Sequence, residues 1–231
     1  VHDVCLQNLP VCILSDNVGL VGDDGKTHHG VLSVPMLMSI ANLTLLAPRD
    51  TRQIRQAVRA TLKLDGPCVV QYPKEGIEPY AQNVTGEPFA VGKWQTLIPG
   101  GQDAVILAYG RMTQNAIQAS ELLVRRGLSV GVIDCCSLKP LDMDCLRALF
   151  ERKAKIVTIE EGEMIGGFGS EIARVCVEEN ADAPVQIIGL ENRFITHGSV
   201  PELLRECGLT PEQLADRIEE IAGDKENSHV G

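Results

Sequence analysis

The feature that most limits the possible folds is a regular alternation of short apolar runs with longer amphipathic segments between residues 103 and 221. The apolar runs predict strands over 103–108, 129–135, 155–160 and 185–190. The amphipathic segments predict helices over 113–126, 142–150, 170–179, 200–207 and 211–221. Strands that are separated by helices pair in parallel. We therefore expect a mainly parallel sheet with helices on both faces.

The first part of the chain repeats this pattern on a smaller scale. Strands are predicted over 11–15, 43–47 and 67–72, and a helix over 51–64 with Asp50 as its N-cap. Residues 1–10 resemble the end of a helix whose beginning is missing, so we expect the first domain to be incomplete.

The periodicity lapses between residues 74 and 92, where glycine, proline and polar residues dominate. We therefore predict an α/β chain of two three-layer domains with mainly parallel sheets. The predicted division is a partial domain over 1–78, a linker over 79–93, a second domain over 94–222 and a frayed tail over 223–231.

The hydrophobic content and the net charge limit the kinds of molecule that this chain is expected to bind. The 231 residues are 44% hydrophobic, but no apolar run approaches the roughly 20 residues that span a bilayer, so we expect a cytoplasmic protein without a membrane partner. The net charge of −10 disfavours nucleic acid as a partner. We expect the acids near the C-terminus to form solvated helix faces. The eight cysteines include no C-x-x-C pair and are expected to be buried free thiols rather than disulfides or metal ligands.

A loop with two acids and two histidines, GLVGDDGKTHHG at 19–30, follows the first predicted strand. Its four glycines allow positive φ angles or close approach to a ligand. Ligands of open α/β sheets bind beyond the carboxyl ends of strands, so Asp24 and His28 are candidate functional residues. In the alternative, Asp23 and Asp24 only hold the loop through an Asx-turn.

Two further acidic or glycine-rich features favour structural interpretations. Glu160, Glu161 and Glu163 are interpreted as solvated or interface acids rather than metal ligands. The turn 166–170 lacks the G-x-G-x-x-G spacing and the P-loop lysine, so we do not expect it to bind phosphate. His197 either caps the next turn or faces a partner subunit, and no chemistry is assigned to it.

An ordered series of motifs resembles the C-terminal portion of the 1-deoxy-D-xylulose-5-phosphate synthase family. The motifs are DGKTHHG at 24–30, IANLTLLAPRD at 40–50, DGP at 65–67, QYPKEG at 71–76, EEGEMIGGFGS at 160–170 and IGLENRFITHGS at 188–199. The resemblance implies the second half of a thiamine-diphosphate pyrimidine-binding domain, followed by a transketolase-type C-terminal domain. It also implies that the magnesium and diphosphate site lies outside this chain, in a missing N-terminal domain or subunit, and that the protein is a homodimer.

The resemblance assigns roles to several residues. It implies that His28 lies beside the cofactor thiazolium and the substrate, that Asp24 contacts the hydroxyl groups of the acceptor, and that Lys74 holds its phosphate. His29 is interpreted as a loop residue. Three residues depart from the family pattern, which has arginine in their places: Asn17, Gln71 and Lys74. The acceptor is therefore glyceraldehyde 3-phosphate or another aldehyde.

The activity implied by the resemblance is the joining of pyruvate to glyceraldehyde 3-phosphate with loss of carbon dioxide, for isoprenoid and thiamine precursor synthesis. Two alternatives remain open. One is a non-catalytic or split-subunit interaction module, in which this chain is inactive by itself. The other is a transketolase-type subunit that transfers a two-carbon ketol group.

Overall fold

The structure is a computed structural model that describes residues 1–74 and 89–223. These residues form two sheets, one of four strands and one of five. The strands are β1 (Cys12–Ser15), β2 (Thr44–Leu46), β3 (Cys68–Gln71), β4 (Gln95–Ile98), β5 (Ala104–Ala108), β6 (Val130–Asp134), β7 (Ser137–Lys139), β8 (Ile156–Glu163) and β9 (Val185–Leu190). The helices are α1 (Ser33–Met38), α2 (Thr51–Thr61), α3 (Met112–Arg125), α4 (Met143–Glu151), α5 (Phe168–Glu178), α6 (Val200–Glu206) and α7 (Pro211–Gly223).

The first sheet has the order β1-β3-β2-β7, and its first three strands are parallel. Helix α2 connects β2 to β3 and packs Ala57 against the apolar side chains of Leu46 and Val70. The carboxylate of Asp50 accepts a hydrogen bond from the Gln53 amide at 2.7 Å, which confirms Asp50 as the N-cap.

The second sheet has the order β4-β6-β5-β8-β9, with β4 antiparallel at one edge and the other strands parallel. Alternate side chains of β5 enter different cores: Ile106 packs with α3, α6 and α7, whereas Leu107 packs with α4 and α5. The sheet therefore has helices on both faces. The prediction of an α/β chain with mainly parallel sheets is confirmed.

Strand β7 ties the two sheets together. It follows β6 of the second sheet in sequence but pairs antiparallel with β2 of the first, joining Leu45 to Lys139 and Leu46 to Ser137. The core that contains Leu45 and Val69 of the first sheet also contains Leu107 and Ile156 of the second. The two sheets are therefore packed around a shared apolar core.

Several elements differ from the sequence prediction. Residues 1–10 form consecutive hydrogen-bonded turns rather than an assigned helix, although the Cys5 amide donates to Val1 O at 3.0 Å with the spacing of an α-helical turn. Strands β4 and β7 and helix α1 were not predicted, because each is six residues or shorter and lacks a clear period. Most of the predicted linker and tail, residues 79–88 and 224–231, lies outside the described residues.

The surface elements follow the composition more closely. The acids of α7 at positions 212, 216, 219 and 220 are exposed, as predicted, and Arg126 pairs with two of them, Asp216 and Glu219. All eight cysteines are free thiols, and five of them are buried as expected, whereas Cys145 and Cys207 are half-buried and Cys12 is exposed. Within the described ranges, no helix combines the length and the apolar character needed to cross a membrane.

Candidate active site

The fold brings together two of the predicted site residues, Asp24 and Lys74. Asp24 lies in the loop that follows β1, and Lys74 lies just beyond β3. Because β1 and β3 are parallel neighbours, the loops after both strands lie at one edge of the sheet. The Lys74 Nζ donates to Asp24 Oδ2 at 2.6 Å. Both side chains are partly open to solvent, at 53% and 37% exposure, so the pair can meet a ligand.

The carboxylate of Asp24 is held in its charged form. The hydrogen bond and the positive charge of Lys74 lower the pKa of Asp24, and the nearby His28 lowers it further. Charged Asp24 accepts hydrogen bonds only, which suits it to bind the hydroxyl group of a ligand.

His28 is exposed at the same edge of the sheet. Its Nδ1 lies 2.9 Å from the Thr27 hydroxyl oxygen, which fixes one side of the ring. No described residue forms a hydrogen bond with the opposite nitrogen, Nε2. An imidazole with one nitrogen oriented by the protein and the other open can transfer a proton to or from a ligand.

The loop that carries Asp24 and His28 is compact. Residues Gly22–Thr27 form a 3₁₀ helix with a break at Gly25, where φ is 68°. Gly30 closes the loop through a hydrogen bond from its amide to the carbonyl oxygen of Gly19 at 2.8 Å. A Cβ atom at Gly30 would lie 2.2 Å from the carbonyl oxygen of Asn17, so glycine is required by the protein's own backbone at this position.

The other two departures from the family pattern, Asn17 and Gln71, lie next to this loop. Asn17 has a left-handed backbone with φ of 57°, and the next amide, that of Val18, donates to Tyr72 O at 3.3 Å. Gln71 is 1% exposed, and neither polar atom of its side chain has a hydrogen-bond partner among the described residues. It lines a cavity of about 20 Å³ together with Tyr72, Arg111 and Glu161, enough for one water molecule.

The acids at the end of β8 are buried, so of the two expected alternatives, solvated or interface acids, the solvated one is wrong. Glu160, Glu161 and Glu163 are 0%, 8% and 7% exposed. Glu160 accepts hydrogen bonds from the amides of Phe168 and Gly169, both at 2.9 Å. The amino end of α5 is therefore occupied by a carboxylate of the protein itself, which agrees with the structural interpretation of the turn 166–170.

No contact was predicted from the sequence for Glu161 or His29, and both residues join the loop to the second domain. Glu161 Oε1 accepts from the Leu20 amide at 2.8 Å, and His29 lies between the Val21 amide and the carbonyl oxygen of Thr196, each at 3.1 Å. His197 does not cap the following helix, because Ser199 forms a capping box with Glu202. The β carbon of His197 packs against Gly25 instead.

The described residues contain no group of three or more His, Cys, Asp or Glu side chains arranged to hold a metal ion.

Comparison with known families agrees with this fold. Residues 1–78 match the model of the transketolase pyrimidine-binding domain, and residues 92–214 match that of the transketolase C-terminal domain. The chain therefore belongs to the transketolase family.

Within this family the chain resembles the C-terminal portion of the 1-deoxy-D-xylulose-5-phosphate synthases. It is 40% identical to the synthase of Geobacillus thermodenitrificans over 98% of the chain, and 38% identical to that of Thermus thermophilus over 93%. It spans only 36% and 34% of the lengths of these two relatives.

Two solved structures share the fold. A chain described as a split gene transketolase in an inactive β4 tetramer superposes with a TM-score of 0.83 at 28% identity, covering 94% of this chain and 68% of that one. A transketolase variant from Pichia stipitis, in complex with fructose 6-phosphate, has a TM-score of 0.78 at 20% identity, with coverage of 94% and 31%.

Proposed function

We propose that this chain forms part of a thiamine-diphosphate-dependent synthase that joins pyruvate to glyceraldehyde 3-phosphate, giving 1-deoxy-D-xylulose 5-phosphate and carbon dioxide. The observation that carries the proposal is the convergence of Asp24, His28 and Lys74 at one edge of the first sheet. The names of the curated relatives give the product, and the family resemblance of the motifs supplies the two substrates.

The exposed imidazole of His28 beside a charged carboxylate fits the side of the cofactor where the substrate reacts. When bound, thiamine diphosphate supplies the nucleophilic carbon for the new bond. We assign its magnesium and diphosphate contacts to the part of the longer relatives that this chain does not span.

Each of the three side chains has a distinct role in the proposed reaction. The Lys74 ammonium binds the phosphate of the acceptor as a point charge, without the two-pronged contact of an arginine. Charged Asp24 accepts a hydrogen bond from an acceptor hydroxyl and so orients the aldehyde. His28 moves a proton through Nε2 at the carbonyl oxygen of the acceptor.

The test is made in the complete protein. We expect His28→Ala to lower kcat with pyruvate and glyceraldehyde 3-phosphate by about a hundredfold or more, because a general acid or base is lost. His2→Ala, which removes another exposed histidine, is the control. A near-normal rate for His28→Ala would remove this residue from the mechanism.

The donor substrate separates the synthase from a ketol transferase. Pyruvate releases one carbon dioxide for each product formed, whereas transfer from a ketose phosphate releases none. We therefore expect carbon dioxide and product in equal amounts. Activity with a ketose phosphate but not with pyruvate would support the transketolase-type alternative.

A second candidate function is a subunit that is inactive by itself. It is favoured by the high structural similarity to the split gene transketolase chain, whose form in that structure is an inactive tetramer. The native mass of the polypeptide in its source cell separates the two. A band at the 25.0 kDa of this chain, without synthase activity until a partner is added, would support the subunit.

A further inference from the structure

The segment from Leu20 to Val31, which carries Asp24 and His28, is held at both ends by the same strand. At its start, the Leu20 amide donates to Glu161 Oε1 at 2.8 Å. At its end, the Val31 carbonyl accepts from the Glu163 amide at 3.0 Å. Strand β8 belongs to the second sheet, so the second domain determines where this part of the first domain lies.

The carboxylate of Glu161 is itself fixed in place. It is 8% exposed and pairs with Arg111 Nη1 at 3.1 Å, and the Arg111 side chain is only 12% exposed. A buried carboxylate with a charged partner is costly to displace, because movement would leave one charge without its partner. Glu161 also packs directly on the loop backbone: a Cβ atom at Gly19, where φ is 78°, would lie 2.6 Å from Glu161 Cδ.

His29 provides a third attachment. Its Nδ1 accepts from the Val21 amide, so the ring proton is on Nε2, which donates to the Thr196 carbonyl. Thr196 lies between β9 and α6 of the second domain. The loop is therefore joined to the second domain by one carboxylate, one imidazole and one backbone hydrogen bond.

We propose that Glu161 is a positioning residue for the proposed synthase reaction: it fixes the segment 20–31 and thereby places Asp24 and His28 against the acceptor. The inference rests on the proposed function. Glu161 contacts the Leu20 amide and Arg111, and we assign it no direct role in the chemistry. Loss of its carboxylate should therefore affect the acceptor more than pyruvate.

The first test follows backbone amides rather than activity. Hydrogen–deuterium exchange of the complete protein is compared for wild type, Glu161→Ala and Glu179→Ala. The control Glu179 also pairs with an arginine, Arg147, but lies on the surface at the end of α5. We expect faster exchange over residues 20–31 in Glu161→Ala alone. Unchanged exchange over this segment would overturn the proposal.

The second test is kinetic. We expect Glu161→Ala to raise the KM for glyceraldehyde 3-phosphate about tenfold or more, because small displacements of orienting groups are costly, and to leave the KM for pyruvate within about twofold. Equal increases in both KM values would indicate general loss of structure and would contradict a positioning role.

Glu161→Gln keeps an oxygen that can accept from Leu20 but loses the charge that pairs with Arg111. We expect its exchange rate and acceptor KM to lie between those of wild type and Glu161→Ala. This variant replaces Glu161→Ala if the latter does not fold. If wild type forms no product from pyruvate and glyceraldehyde 3-phosphate, the proposed function fails, while the exchange comparison still decides whether Glu161 holds the loop.

Discussion

At position 17 the identity of the side chain and the conformation of the backbone are linked. Asn17 has φ of 57°, a left-handed value that asparagine adopts more readily than most other residues. The chain beside it runs along Tyr72, two residues before Lys74, so a longer cationic side chain at position 17 would reach toward the proposed phosphate site. An arginine at position 17 is therefore expected to strengthen binding of the acceptor and to lower the stability of the folded chain.

We expect Asn17→Arg to lower the KM for glyceraldehyde 3-phosphate several-fold, because a second cation binds the phosphate, and to lower the free energy of unfolding by about 1 kcal/mol. Steady-state kinetics and urea unfolding measure the two effects. Asn17→Gln, with a similar backbone cost but no charge, is the control. An unchanged KM for the phosphorylated acceptor would show that residue 17 lies outside the phosphate site.

At the scale of one element, the amino end of α5 depends on a buried acid. Glu160 is fully buried and accepts from two amides of the first turn. Burial raises the pKa of Glu160 to about 7, because removal from water costs the charged form more than the two amide hydrogen bonds return. Between about pH 4.5 and 7, the folded chain therefore keeps a proton on Glu160 that the unfolded chain has already lost.

This difference in the pKa of Glu160 between the folded and unfolded chain determines whether stability rises or falls with pH. As pH rises from about 4.5 to 7, the folded state binds more protons at Glu160 than the unfolded state, so its contribution to stability falls, by roughly 3 kcal/mol in total. Glu160→Gln lacks this titration. We expect urea unfolding to show wild type losing stability relative to Glu160→Gln across this range. A constant difference between the two proteins would contradict the raised pKa.

The elements that sequence predicted well are those with a strong period. The runs at 104–108 and 185–190 are predominantly apolar, and the structure has strands there. Strand β7 has only three residues, and its partner β2 lies some 90 positions earlier in the chain, which no local pattern can reveal.

The site residues also divide into those that a local sequence pattern predicts and those that depend on contacts distant in the chain. Asp24 and His28 were predicted because a polar glycine-rich loop follows an apolar strand, and the family resemblance identified Lys74. Glu161 was interpreted as a solvated or interface acid, and no pattern in the sequence separates these two alternatives. Its partners, Leu20 and Arg111, lie 141 and 50 positions away, so only the folded chain shows why this carboxylate is buried.

Across the whole molecule, a buried polar network joins the two domains. The Arg49 guanidinium after β2 pairs with Asp134 at the end of β6, and Gln53 donates to the same carboxylate at 2.7 Å. Asp134 is fully buried, and its burial raises the pKa while Arg49 and Gln53 oppose this increase. The positive charge of Arg49 therefore offsets the cost of burying the Asp134 carboxylate at the contact between the domains.

We expect Arg49→Met to lower the free energy of unfolding by about 3–5 kcal/mol, because Asp134 is left buried without its cation. Arg126→Met, which breaks exposed pairs with Asp216 and Glu219, should cost less than about 1 kcal/mol. Urea unfolding of both variants measures the contrast. Similar losses in the two proteins would show that the network does not stabilise the domain contact.

The pairing of β7 with the first sheet also limits how the two domains can be exchanged with domains of other proteins. If residues 1–78 were joined to an unrelated second domain, β2 would lose its neighbour, and its backbone beside Leu45 and Leu46 would become an open edge prone to pair with other chains. The two sheets must therefore be transferred together if the first sheet is to keep all of its strands in a new protein.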